Sequence, residues 1–255
     1  MIFITGDIHG NPVRFSMDAF EEQRDMAADK SEEHYCIVLG DFGLVWEERQ
    51  SRTEKYWLDW LDKKPFTTLF IDGNHENFDR LNAYPVSELA GGKVHRISSK
   101  VYHLMRGEIF TLNGLTFFAF GGASSHDISD GIIEGNDKNW REKAKKLEKE
   151  GKSMFRIRNK SWWEAELPTE VEMKNGLDNL SKYGKKVDFI LTHSPTASEI
   201  AILGGGTYEQ DVLTRYLEEI RINTEYKKMF SGHMHVNRAV NDKDLLLYEQ
   251  IIRVQ

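Results

Sequence analysis

The stretch IDGNHENFD, residues 71–79, decides how this chain is read. An apolar run, Phe66 to Ile71, ends in Gly73, Asn74, His75 and Glu76. Gly and Asn tolerate left-handed backbone and Asn starts helices, so the tetrapeptide fits a simple turn. It fits a site equally well, because strand ends in α/β sheets carry ligands and both Asn and His bind metal. The tetrapeptide alone leaves both readings open.

Outward from this stretch, short apolar runs alternate with helix-like segments. The strand candidates are Ile2–Thr5, Tyr35–Leu39, Phe66–Ile71, Leu115–Phe120, Val187–Leu191, Met229–Phe230 and Leu245–Tyr248. Their shortness and their β-branched and aromatic content favour strands over buried helices. Helices are expected over Val13–Lys30 and Glu54–Lys63, which gives β-α-β-α-β, a sheet covered by helices. Val94–Phe120 reads as an antiparallel meander. Thr169 to Glu172, after Pro168, has capping-box spacing, and Thr207 to Gln210 repeats it before a helix over Val212–Ile220. Residues 124–166 are polar, charged and rich in Trp, and read as an insert or cap on a single domain spanning 1–255.

At 255 residues, 40% hydrophobic and 29% charged, the chain has the composition of a globular protein with ample core material. No apolar run approaches the ~20 residues needed to span a bilayer. The start, MIFITGDIHG, lacks a basic segment and carries Asp7, unlike a signal peptide. The single cysteine, Cys36, lies in the apolar run YCIVLG and reads as a buried structural thiol. A cytoplasmic protein with no membrane partner and no obligate protein partner is expected. The net charge of −7 argues weakly against a globally basic nucleic-acid binder. Between Lys138 and Lys160, however, ten residues are basic and three acidic; a solvated helix face is the ordinary meaning of such a run.

The strand candidates share one property. Ile2–Thr5 leads into Asp7 and His9, Tyr35–Leu39 into Gly40 and Asp41, and Phe66–Ile71 into Gly73, Asn74 and His75. Val187–Leu191 leads into His193, and Met229–Phe230 into Gly232, His233 and His235. Strand ends of an open α/β sheet gather on one edge, and residues i and i+2 of extended chain point the same way. A lone D-x-H, G-D or N-H is ordinarily a turn, a cap or a hydrogen-bonded pair. Five such exits in one chain are not explained that way.

In these five blocks the chain resembles the calcineurin-like metallophosphoesterase superfamily, whose pattern is D-x-H, G-D, G-N-H-[ED], a single His and G-H-x-H. The resemblance implies a four-layer αββα sandwich and two divalent metal ions, with Mn²⁺ ahead of Fe or Zn²⁺. Asp41 would bridge them. Asp7, His9 and His235 would complete one ion's ligands, and Asn74, His193 and His233 the other's. It implies hydrolysis of a phosphomonoester or phosphodiester by a metal-bridging hydroxide, with His75 as the proton donor to the leaving oxygen. The partner so implied is a phosphate-ester substrate, with nucleotides and nucleic acid in range. Phosphoprotein phosphatases of the superfamily extend the second block to G-D-x-x-D-R-G. Here Leu44 and Val45 replace that Asp and Arg, which sets this chain apart from that subfamily and leaves His75 without its usual partner.

A second likeness is to bacterial and phage-type members that carry G-G-A-x-S-x-D, an Arg and S-W-W-x-x-E. Here these are Gly121 to Asp127, Arg158 and Ser161 to Glu166. Arg158, as a guanidinium, suits phosphate oxygens, with His126 and Trp162 as further substrate contacts. At least one of Trp162 and Trp163 is expected to pack the cap onto the sheet. Gly204-Gly205-Gly206 reads as a mobile loop at the rim, not a P-loop, and His34, His95 and His103 as structural or exposed. The competing class is a metal-binding scaffold that recognises a partner through its aromatic, basic cap and turns nothing over.

Overall fold

Fully buried strands need cover on both faces, and their register shows how that cover is divided. The computed structural model describes residues 1–204 and 209–255. The chain opens with β1 (Ile2–Thr5), α1 (Gln23–Ala28), β2 (Tyr35–Leu39), α2 (Arg52–Leu61), β3 (Thr67–Ile71) and α3 (Phe78–Leu81). There follow β4 (Val86–Leu89), β5 (Gly92–Arg96), β6 (Val101–Leu104), β7 (Glu108–Leu112) and β8 (Leu115–Phe120). The insert holds β9 (Gly131–Ile133), α4 (Trp140–Lys149) and β10 (Phe155–Ile157). Helix α5 (Glu170–Lys182), β11 (Phe189–Thr192), α6 (Ala197–Gly204), α7 (Val212–Asn223) and β12 (Lys228–Ser231) come next. The short strands β13 (Arg238–Ala239), β14 (Asp244–Leu246) and β15 (Ile251–Arg253) end the described chain.

One sheet runs β15-β1-β2-β3-β6-β5-β4 and a second β13-β14-β12-β11-β8-β7. Within them β1, β2, β3 and β6 are parallel, as are β8, β11, β12 and β14. Side-chain alternation divides each strand between two cores. Ile2, Ile4, Ile37, Leu39, Leu69 and Ile71 of the first sheet meet Phe117, Ala119, Phe189, Leu191 and Phe230 of the second. The outer face of the first sheet, with Phe3, Val38 and Phe70, is covered by Met26, Leu58 and Leu61. The outer face of the second, with Phe118, Ile190 and Met229, is covered by Leu180, Leu213 and Leu217. Helix, sheet, sheet, helix: the fold is the four-layer αββα sandwich.

Several expectations change. Val13–Lys30 is not one helix but a single turn, Pro12–Phe15, followed by α1. The buried Gln23 amide donates to the carbonyls of Phe15, Ser16 and Phe20 and holds the break open. The Val94–Phe120 meander is split, since β5 and β6 pair in the first sheet and β7 and β8 in the second. The Thr169 capping box is present. The Gly204–Gly206 loop and the Thr207 cap fall largely outside the described residues, and α7 is capped by Asp211 with Thr214. Cys36 is buried. Among the described residues no helix is long and apolar enough to cross a membrane.

Candidate metal centre

Because β1, β2 and β3 run parallel, as do β11 and β12, their C-terminal exits reach the same end of the sandwich. Close backbone packing brings them into contact. A side chain at Gly40 would put its first carbon 2.2 Å from His193 Nδ1, and one at Gly73 2.1 Å from Asp41 Oδ1. Only glycine allows these approaches. The Asp41 carbonyl accepts from the amide of His9 at 2.8 Å, and His193 Nδ1 donates to the Leu39 carbonyl at 2.7 Å. That second bond fixes the tautomer and turns His193 Nε2 into the site, as outer-sphere partners of metal-binding histidines do. His9, Asp41, His233 and His235 all have left-handed φ, at 44°, 43°, 65° and 50°.

Two groups of ligand atoms result, and they share Asp41. One comprises Asp7, His9, Asp41 and His235, the other Asp41, His193 and His233; within each, one ligand atom per residue lies within 4.8 Å of the rest. His9 and His235 face each other Nε2 to Nε2 at 2.9 Å, and Asp7 Oδ2 meets His235 Nε2 at 3.1 Å. On the other side, His193 Nε2 is 3.4 Å from Asp41 Oδ1.

The donor set tests whether cations fit. Among the described residues the buried Asn74 Oδ1 and His193 Nε2 find no hydrogen-bond partner, an arrangement that costs free energy unless something binds them. Asn74 Oδ1 is oriented from behind, since its Nδ2 donates to Ser125 Oγ at 3.3 Å and Ser125 Oγ donates to Glu166 at 2.7 Å. Burial, then the neighbouring His193, pushes the His233 pKa well down and keeps it a neutral lone-pair donor. Burial works against ionisation of Asp41, but His193, His75 and His9 hold its pKa well below the ordinary carboxylate range. Imidazole, carboxylate and amide donors converging in this way fit Mn²⁺, Fe or Zn²⁺.

His75 lies beside these groups. Its Nδ1 is 2.8 Å from Asp41 Oδ2, and its amide donates to Asp41 Oδ1 at 2.8 Å. Burial lowers its pKa, but the hydrogen bond and charge of Asp41 outweigh that, and the net shift is upward. The other nitrogen, Nε2, faces Arg156 Nη2 at 3.1 Å. Arg156 in turn pairs with Asp127, its Nε 2.8 Å from both carboxylate oxygens.

A family model for the calcineurin-like phosphoesterases matches residues 1–237. The chain belongs to that family. A comparison with curated proteins found no match. Calcineurin-like phosphoesterases are in general metal-dependent hydrolases of phosphate esters, and the two ligand groups around Asp41 suit that chemistry.

The structure brings the expected ligand residues together but leaves one expected substrate contact outside the group. The structure turns Arg158 away from the centre: its Nε pairs with Glu134 at 2.9 Å and its guanidinium lies over Trp162, 4.7 Å from the ring centroid. The cause is local. Strand β10 ends at Ile157, and the chain folds back through left-handed Asn159 to bridge Arg158 with Trp162. Arg156, two residues earlier, takes the position expected of Arg158. Trp162 stacks on that outlying Arg158, whereas Trp163 is buried, donates to Asp79 at 2.9 Å and packs the cap through Trp46. His126 is at the rim, its Nε2 2.8 Å from His233 Nε2. Leu44 and Val45 are core residues. Glu76 accepts from the Phe42 amide at 2.7 Å and braces the turn that carries Asp41. His95 and His103 are buried and structural, joined Nδ1 to Nδ1 at 3.0 Å, with His103 on Asp72.

Proposed function

We propose that this calcineurin-like phosphoesterase is a dinuclear enzyme that hydrolyses a phosphomonoester or phosphodiester, and that residues 1–255 form one domain with 124–166 as its cap. The observation that carries the reading is the pair of ligand groups sharing Asp41, with the buried Asn74 Oδ1 and His193 Nε2 left without a hydrogen-bond partner among the described residues. Asp7, His9, Asp41 and His235 would hold one ion, and Asp41, Asn74, His193 and His233 the other, with Mn²⁺ the best match and Fe or Zn²⁺ next. When bound, such a pair supplies Lewis acidity at the phosphoryl oxygens and an acidified water as nucleophile.

The remaining work falls to the chain. Arg156, free to exchange its His75 contact for phosphate oxygens, orients the phosphoryl group and offsets its charge. His75 holds a proton near the leaving oxygen and delivers it as the ester bond breaks. His126 hydrogen-bonds the substrate from the His233 side. The cap, which contributes Arg156 and Asp127, screens the centre from bulk water. The deciding experiment is a panel of p-nitrophenyl phosphate, its bis-ester and cyclic and linear nucleotides, each with Mn²⁺, Fe²⁺, Zn²⁺ or Mg²⁺. Two ions bound with no turnover of any substrate would instead identify a metal-binding scaffold.

A further inference from the structure

Next to His75 the surface opens into a cleft that none of the metal ligands lines. The cleft is about 550 Å³ and runs between the loop after Val45 and the start of α4, lined by Trp46, Arg49, Trp140, Arg141 and Lys160 together with Glu47, Glu48 and Ser51. That volume falls within the ~300–1,000 Å³ of small-molecule sites. Trp46 links it to the centre, its ring 5.8 Å from that of His75 and braced edge-on by Trp163 at 5.6 Å. Trp140 stands on the cap side with Arg141 over its ring at 4.4 Å and Lys160 at 5.6 Å. Lys160 is ion-paired with Glu48 across the cleft. Against Glu47 and Glu48, the three cations leave a net positive lining. The four lysines of α4 play no part here: Lys143 and Lys146 line a different groove, and Lys143 pairs with Asp137.

Two indoles flanked by cations, next to a phosphoryl site, match a planar heterocycle attached to phosphate. Bases stack on aromatic faces, with arginine adding cation–π attraction. Resting on the phosphoesterase reading, we infer that this cleft is a nucleobase subsite and that the substrate is a nucleotide ester. Its nucleoside lies over Trp46 on the proton-donor side, so that the base belongs to the group that leaves.

The test is calorimetric titration of the metal-free full chain, in which hydrolysis does not intervene, with adenosine 5′-monophosphate and with ribose 5-phosphate. The nucleotide should bind about 5- to 150-fold more tightly, the range of one stacked base. Trp140→Ala and Arg141→Gln should each reduce that ratio, and Trp140→Phe should keep most of it. Equal affinity of the wild-type chain for the two ligands, or an equal loss of both in Trp140→Ala, overturns the proposal. Hydrolysis of p-nitrophenyl phosphate by the Mn²⁺-loaded wild type is scored separately, so failure of the subsite and failure of the phosphoesterase reading give different results.

Discussion

Arg156 holds its Nη2 3.1 Å from His75 Nε2, and this contact joins the cap to the edge of the sandwich that carries the two ligand groups. The G-D-x-x-D-R-G pattern implies an aspartate of the second block as the partner of this histidine. Here Leu44 and Val45 fill those positions with core side chains, and a strand more than eighty residues further on supplies the polar partner instead. The imidazole is therefore held from both sides, by Asp41 at Nδ1 and by Arg156 at Nε2.

Arg156→Ala should lower kcat/KM for p-nitrophenyl phosphate by about 10²–10³, the loss associated with one pre-aligned donor to a developing anion. Arg156→Lys should recover only part of it, since a point charge cannot reproduce a planar fork. Wild-type rates in both variants would remove Arg156 from the site.

For His75→Ala, kcat should fall by ~10²–10⁴ while metal content is unchanged. The loss should be smaller for p-nitrophenolate than for an alkyl leaving group, which needs the proton more. Equal losses for both would assign His75 another role.

Asp41 belongs to both ligand groups. Asp41→Asn should therefore reduce metal content from two ions towards none and abolish activity, whereas Asp7→Asn should affect the His9–His235 group first. Mn²⁺ at 100 times its Kd should stabilise the wild type by about 2.7 kcal/mol for each ion bound, read as a rise in Tm that a chelator reverses. A wild-type Tm indifferent to Mn²⁺ would count against the centre.

Ser125 orients Asn74 and is itself held by Glu166. Ser125→Ala should weaken one of the two ions by about 10- to 100-fold, the usual cost of losing an outer-sphere support. Titration with metal-content analysis should resolve one weakened and one unchanged site. A uniform loss at both sites would point to general destabilisation.

Acid should unfold the protein partly through His95. Burial, reinforced by His103, lowers its pKa from 6.5 to about 4. Its folded pKa lies below its unfolded one, so its contribution is complete above about pH 6.5 and is lost as pH falls towards 4. Over that window it amounts to at most ~3 kcal/mol. Urea midpoints measured between pH 7 and 4 should fall, and the fall should be shallower in His95→Gln.

The ligand edge was legible because it is written locally. Asp7–His9 and His233–His235 repeat the two-residue period of extended chain, and Gly40 and Gly73 mark backbones that must pass close to Asp41 and His193. What escaped was decided by partners distant in sequence. The antiparallel runs of the meander carry nothing in their own pattern to show that β6 and β7 join different sheets. Arg156 and Arg158 are equivalent until β10 pairs with β9, Arg156 opposite Ile132, and ends one residue short of Arg158. The break in the first helix depends on one buried amide, Gln23, collecting three carbonyls.

The left-handed backbone at His9, Asp41, His233 and His235 has a kinetic meaning. Each such residue costs ~1–3 kcal/mol without glycine's freedom. Four of the eight left-handed non-glycine residues among the described residues sit in this one centre, which makes it a tensioned rim, and the amides around it should be among the first to exchange with solvent in metal-free protein. Ion loading would then act as a latch, turning a segment prone to local opening into one of the slowest to open. A chain that has lost its ions should advertise the loss to a protease at this edge long before the rest of the sandwich loosens.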